Sequence, residues 1–160
     1  QTYDYPGLVD NAWGDMPQDR RHNLQVFGSD SVDIGFQLGG NFWLQTGRPI
    51  NSLSVHPTDP YAANYGAASF FLADGSPAPR GSQGRTDTLL SLDLMASYTF
   101  LVRGVDLFVR VDAFNLLDND GVTEVEETAE DYYGAVNPYW LEPTTYQPPR
   151  TVRLGIGASF

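Results

Sequence analysis

Apolar and polar residues alternate with a period of two over four long stretches of this chain. In residues 33–47 (DIGFQLGGNFWLQTG), Ile34, Phe36, Leu38, Gly40, Phe42 and Leu44 fall on one side; Gln37, Asn41, Trp43 and Gln45 fall on the other. Residues 88–100 (TLLSLDLMASYTF) set Leu90, Leu92, Leu94, Ala96, Tyr98 and Phe100 against Leu89, Ser91, Asp93, Met95, Ser97 and Thr99. Residues 105–115 (VDLFVRVDAFN) set Val105, Leu107, Val109, Val111 and Ala113 against Asp106, Phe108, Arg110, Asp112 and Phe114. Residues 150–160 (RTVRLGIGASF) give Val152, Leu154, Ile156, Ala158 and Phe160 against Thr151, Arg153, Gly155, Gly157 and Ser159. A fifth stretch, residues 22–29, is shorter and less regular, with Leu24 and Val26 as its apolar steps. This periodicity predicts β-strands, and no long helical period competes with it.

Asp33, Asp93, Asp106, Arg110, Asp112 and Arg153 all fall opposite the apolar rows, so those rows carry no charge in the four clear strands. The strands, 11 to 15 residues, are long against the usual soluble length of about five or six. A tilted strand that crosses a bilayer needs about 9–11 residues. Connection lengths alternate as well: a few residues near 30–32, some forty at 48–87, four at 101–104 and some thirty at 116–149. Short and long connections in turn are what antiparallel transmembrane strands require, with tight periplasmic turns and large external loops. The expected fold is therefore all-β, an antiparallel segment of a transmembrane β-barrel spanning residues 1–160. Within it, 1–21, 48–87 and the acidic 118–149 are extracellular, 22–47 and 88–117 are strand pairs, and 150–160 is the closing strand. Val152, Leu154, Ile156 and Ala158 then face lipid, and Phe160 sits at the periplasmic interface as part of a barrel-assembly signal. Two readings compete: a soluble β-sandwich that binds carbohydrate through exposed aromatics, and an outer-membrane surface-assembly or adhesion component whose acidic loops bind cations.

Composition narrows the chemistry. Twenty acidic residues against nine basic ones, every one of them Arg, leave a formal charge of −11, which argues against nucleic acid. Cysteine is absent, which excludes disulfides and thiolate metal sites. No apolar run approaches a transmembrane helix, and the opening QTYDYPGLVDNAWGD has neither the basic nor the apolar region of a signal peptide.

Several sequence elements resemble the C-terminal end of TonB-dependent outer-membrane receptors: DRRHNL (19–24), TGRPIN (46–51), APRGSQGRTDTLLSLDL (78–94), FNLLDN (114–119) and PPRTVRLGIGASF (148–160). The subgroup that they resemble is the Oar-like receptors with a carboxypeptidase-regulatory-like domain. FNLLD is similar to an Asn-Leu-Phe-Asp element near the end of such barrels, with Leu117 where Phe is usual. The resemblance implies a 22-stranded barrel with a plugged lumen that imports a scarce nutrient across the outer membrane of a Gram-negative bacterium. Five strands do not close such a barrel, so the remaining strands and the plug are expected from the same or another chain. The other implied partners are TonB, the barrel-assembly machinery and lipid or lipopolysaccharide.

Candidate chemistry is sparse. Trp43, Asp93, Arg110 and Asp112 are inward-facing candidates for contacts with a ligand or plug. Tyr61, Tyr65, Phe70, Phe71, Tyr139 and Trp140 either form an external binding surface or pack the loops together. DNDGVTEVEE (118–127) is half of an EF-hand pattern: with Gly121 at position six, Asp118, Asp120 and Glu127 fall at ligand positions, but Leu116 occupies the first. A calcium site there competes with a solvated acidic loop. His22 and His56 stand apart from any Ser and acid partners, so no catalytic triad is expected and the chain is read as a non-enzyme.

Overall fold

The computed structural model describes residues 3–131 and 134–159. The protein is all-β and its sheets are antiparallel, with two compact units formed from alternating segments of the chain. One unit comprises His22–Gln45, Thr88–Asp120 and Gln147–Phe160; the other comprises Gln1–Arg21, Thr46–Asp87 and Gly121–Tyr146.

The first unit is a single five-stranded sheet. Its strands are β1 (Asn23–Val32), β2 (Phe36–Gln45), β3 (Leu89–Val102), β4 (Val105–Phe114) and β7 (Thr151–Ser159), in the order β1-β2-β3-β4-β7. Register keeps the apolar residues on one face from edge to edge. Gly28, Gly40, Leu94, Ala113 and Val152 are paired in one row; Asp30, Leu38, Ala96, Val111 and Leu154 follow in the next; Val32, Phe36, Tyr98, Val109 and Ile156 form a third. A slip of one residue would move every one of these side chains to the other face. Among the described residues nothing covers the apolar face: Leu38 is 50% exposed, Leu94 43%, Leu154 75% and Ile156 85%.

The short turns lie slightly away from their expected positions. Alternation continues past Ser29, so β1 runs to Val32 and the chain reverses over residues 33–35. Gly35 permits this with φ +85°, and its backbone contacts Thr99, which leaves no space for a Cβ. The extension also places Asp30 on the apolar face. In the β3–β4 hairpin the connection shrinks to Arg103 and Gly104, both at positive φ (53° and 86°), as a two-residue type I′ turn requires.

The second unit is mostly irregular, organised by isolated bridges and a two-stranded sheet of β5 (Val122–Val125) and β6 (Pro143–Tyr146). One helical turn, Pro60–Ala63, is capped by the Asp59 side chain, which accepts from the backbone N–H of Tyr61 and Ala62. Leu8, Ile50, Ala62, Phe70, Phe71, Ala78 and Ala129 are buried in this unit. So is Arg48, which bonds to Glu127 at 2.8 Å and pairs with Glu124. Burial alone would lower the Arg48 guanidinium pKa, but the bonds to the two glutamates outweigh it and hold it above its ordinary value.

Candidate functional site

The face of the sheet opposite the apolar rows gathers its polar groups into two networks. In the first, Asp93 accepts from the Ser91 hydroxyl (2.7 Å), the Asn41 amide (3.2 Å) and the backbone N–H of Asn115 (2.9 Å). In the second, the buried Asp112 carboxylate receives two guanidinium groups. Arg110 Nε donates to Asp112 Oδ1 at 2.9 Å, and Arg153 Nη2 donates to Oδ2 at 3.0 Å from the next strand. Arg153 also lies over the Phe114 ring, 5.4 Å from its centroid. One buried carboxylate shared by two partly exposed cations fixes β4 to β7, since removing it would leave two like charges face to face.

Two grooves adjoin these networks. One, of about 310 Å³, is lined by Asn41, Asp93, Met95, Arg110, Asp112 and Arg153 among others. The other, of about 390 Å³, is lined by Trp43, Ser91, Asp93, Phe114, Asn115 and Gln147 among others. Asp93, Arg110 and Asp112 thus share one groove, and Trp43 shares the second with Asp93. Arg153 and Asn115, which are not among the ligand or plug candidates of the sequence, join these networks. Arg153 was legible as a charge on the polar row of β7, opposite Asp112.

Asn115 explains why FNLLDN is a structural element. Its φ of +47° turns the chain sharply out of β4, a conformation that Asn tolerates better than most residues. Its buried amide donates to the carbonyls of Asn119 (2.9 Å) and Pro148 (2.8 Å) and accepts from Asn119 N–H (3.1 Å). The side chain thereby holds the exit of β4 to the entry of β7.

The loop aromatics divide. Tyr61 stacks on Tyr5 with centroids 6.1 Å apart, and Tyr65 meets Tyr5 edge-on at 5.6 Å, which makes a partly exposed tyrosine cluster. Burial, then the Asp4 charge, raises the Tyr65 phenol. Phe70 and Phe71 are core residues instead, Phe70 beneath Arg80 and Phe71 edge-on to His56. Tyr139 is exposed and Trp140 half-buried. On β7, Val152, Leu154, Ile156 and Ala158 are exposed on the apolar face; Phe160 lies outside the described residues.

Of the acidic candidates, Glu127 is occupied by Arg48 and by Asn51 N–H (2.8 Å), and Asp118 pairs with Arg150 at 3.5 Å. Asp120 is exposed. Among the described residues no three His, Asp or Glu side chains converge as metal ligands.

In the irregular unit Arg85 bonds to Asp15 at 2.8 Å and pairs with Asp19, while Arg21 reaches Asp15 at 2.8 Å. Arg85 first, then Arg21, holds the Asp15 carboxyl below its ordinary value. A folded-state pKa below the unfolded one gives stability that is complete above the ordinary carboxylate range and is lost as pH falls through the lowered value. Hydrogen exchange over residues 14–21, corrected for intrinsic rates, should therefore accelerate below about pH 4 in the wild type. The Asp15→Asn variant should be faster at neutral pH and nearly flat across that window.

No family model matches the chain, and no solved structure matches it significantly. The chain is similar to the TonB-dependent transporter Oar of Myxococcus xanthus, with 26% identity over an alignment of 198 positions. That alignment covers 99% of this chain and 18% of the relative, so the chain spans less than a fifth of the relative's length.

Proposed function

We propose that this chain is a barrel segment of a TonB-dependent receptor of the Oar-like type, in the outer membrane of a Gram-negative bacterium, serving active uptake of a scarce nutrient. The observation that carries this reading is the bare apolar face of a one-layer sheet. Rows of Leu, Val, Ile, Phe and Tyr run across all five strands with large side chains exposed, while Asp93, Arg110, Asp112 and Arg153 lie on the opposite face. In water such a face would demand a covering layer, whereas in a bilayer hydrocarbon covers it. The free edges of β1 and β7 pair with further strands, because unpaired backbone groups in hydrocarbon cost several kcal/mol each. The polar face then looks into the lumen, where Trp43 and the two networks meet the plug or cargo. Assembly proceeds through the barrel-assembly machinery, with the β7 row of Val152, Leu154, Ile156 and Ala158, ending at Phe160, as its recognition signal. TonB acts through parts of the receptor beyond this segment.

The topology is testable in the full-length protein. An epitope inserted between Asp74 and Gly75 is expected to bind antibody on intact cells. The same epitope between Arg103 and Gly104 is expected to bind only after the outer membrane is permeabilised. Labelling of both sites on intact cells would overturn the reading.

A further inference from the structure

Asp30 is the one charged side chain on the apolar face among the described residues of the five strands, and the sequence alternation alone did not reveal it there. It lines a groove of about 660 Å³ on that face, together with Gly28, Gly40, Ala96 and Ala113 beside Leu94. The next row toward the short turns carries Phe36 and Tyr98, with Phe100 stacked on Tyr98 at 5.9 Å. Such an aromatic cluster marks the interfacial level of a barrel wall. One row of the pleat, on a strand tilted about 45°, places Asp30 roughly 5 Å inside that level. The carboxylate is too short to reach back to water as Lys or Arg would. Its one hydrogen bond among the described residues comes from the neighbouring Ser31 N–H at 2.9 Å. A carboxylate at this depth needs a cation brought to it.

Building on the outer-membrane reading, we infer that Asp30 and the groove form a site for a phospholipid with a primary ammonium headgroup. The ammonium donates to the Asp30 carboxylate while one acyl chain lies along the glycine and alanine residues. Glycerol-headed lipids offer the same acyl chain but a net negative headgroup, which Asp30 repels. A Cβ at Gly28 would meet nothing within 4 Å, so a larger residue there fills the groove without disturbing the sheet.

The test uses the full-length receptor extracted in mild detergent, with phosphatidylethanolamine and phosphatidylglycerol of matched chains supplied together and bound lipid read by native mass spectrometry. The wild type is expected to retain the ethanolamine lipid at least about fivefold over the glycerol lipid, the scale of one charge-assisted hydrogen bond at an interface. Asp30→Asn should bring the ratio to parity with acyl binding kept, and Gly28→Leu should reduce both lipids several-fold. Parity in the wild type, an unchanged ratio in Asp30→Asn, or undiminished binding in Gly28→Leu would each overturn the site. Recovery of every variant from outer membranes as a heat-modifiable barrel separates that failure from failure of the membrane reading, which would appear as receptor missing from that membrane.

Discussion

Replacing Leu94 with Arg in the full-length protein lowers the yield of folded barrel in the outer membrane severely, whereas Gln37→Arg leaves it near wild type. Leu94 lies near the middle of β3 on the apolar face, between Gly40 and Ala113, and is 43% exposed in the described chain. On a lipid-facing strand near the midplane, an arginine costs about 2–4 kcal/mol. Gln37 is exposed on the other face, between Ser31 and Ser97, where a new guanidinium remains in a polar setting. Heat-modifiable electrophoresis of outer-membrane fractions, followed by urea titration in vesicles, measures the difference. Equal losses from the two substitutions would mean that the faces are assigned wrongly.

The second large effect is expected at Asn115. Asn115→Ala removes the amide that joins Asn119 and Pro148, leaves two carbonyls short of a donor, and forces a Cβ-bearing residue without a polar side chain into φ +47°. Lost buried hydrogen bonds and backbone strain together predict about 2–4 kcal/mol of destabilisation. Asn115→Gly removes the hydrogen bonds but relieves the backbone, so it is expected to recover roughly 1 kcal/mol of that loss. The urea midpoints of the two variants separate the contributions. If Asn115→Gly and Asn115→Ala unfold together, backbone conformation is not what selects Asn here.

The strand faces were legible because a half-buried or lipid-facing strand imposes a strict period of two on its sequence. Turn positions were less so. Ser29, Asp30, Ser31 and Val32 continue the alternation of β1 through residues that composition alone marks as a turn, and only the φ of Gly35 fixes where the chain reverses. The irregular unit was hidden for a different reason. Its buried residues include small ones such as Ala62, Ala78 and Ala129 and the charged Arg48, and neither choice leaves a periodic trace. Glu127 illustrates the consequence. Beside other acids in the sequence it looks like a metal ligand, while in space its carboxylate is committed to Arg48 and Asn51. The β5–β6 pair was missed because VTEV and PTTY are short and interrupted by register shifts. The Asp112 triad needed both strand order and register, since Arg153 lies forty-one positions away in sequence.

The orientation of the sheet is most directly measured by a nitroxide scan of β3, Leu89–Val102, in the full-length receptor reconstituted in vesicles. The absence of native cysteine from this segment leaves it free for single-site labelling. The account predicts high collision rates with oxygen at Leu90, Leu92, Leu94, Ala96 and Tyr98, alternating with low rates at Ser91, Asp93, Met95 and Ser97. A scan without that period, or with the maxima on the Ser91 and Asp93 row, would contradict it.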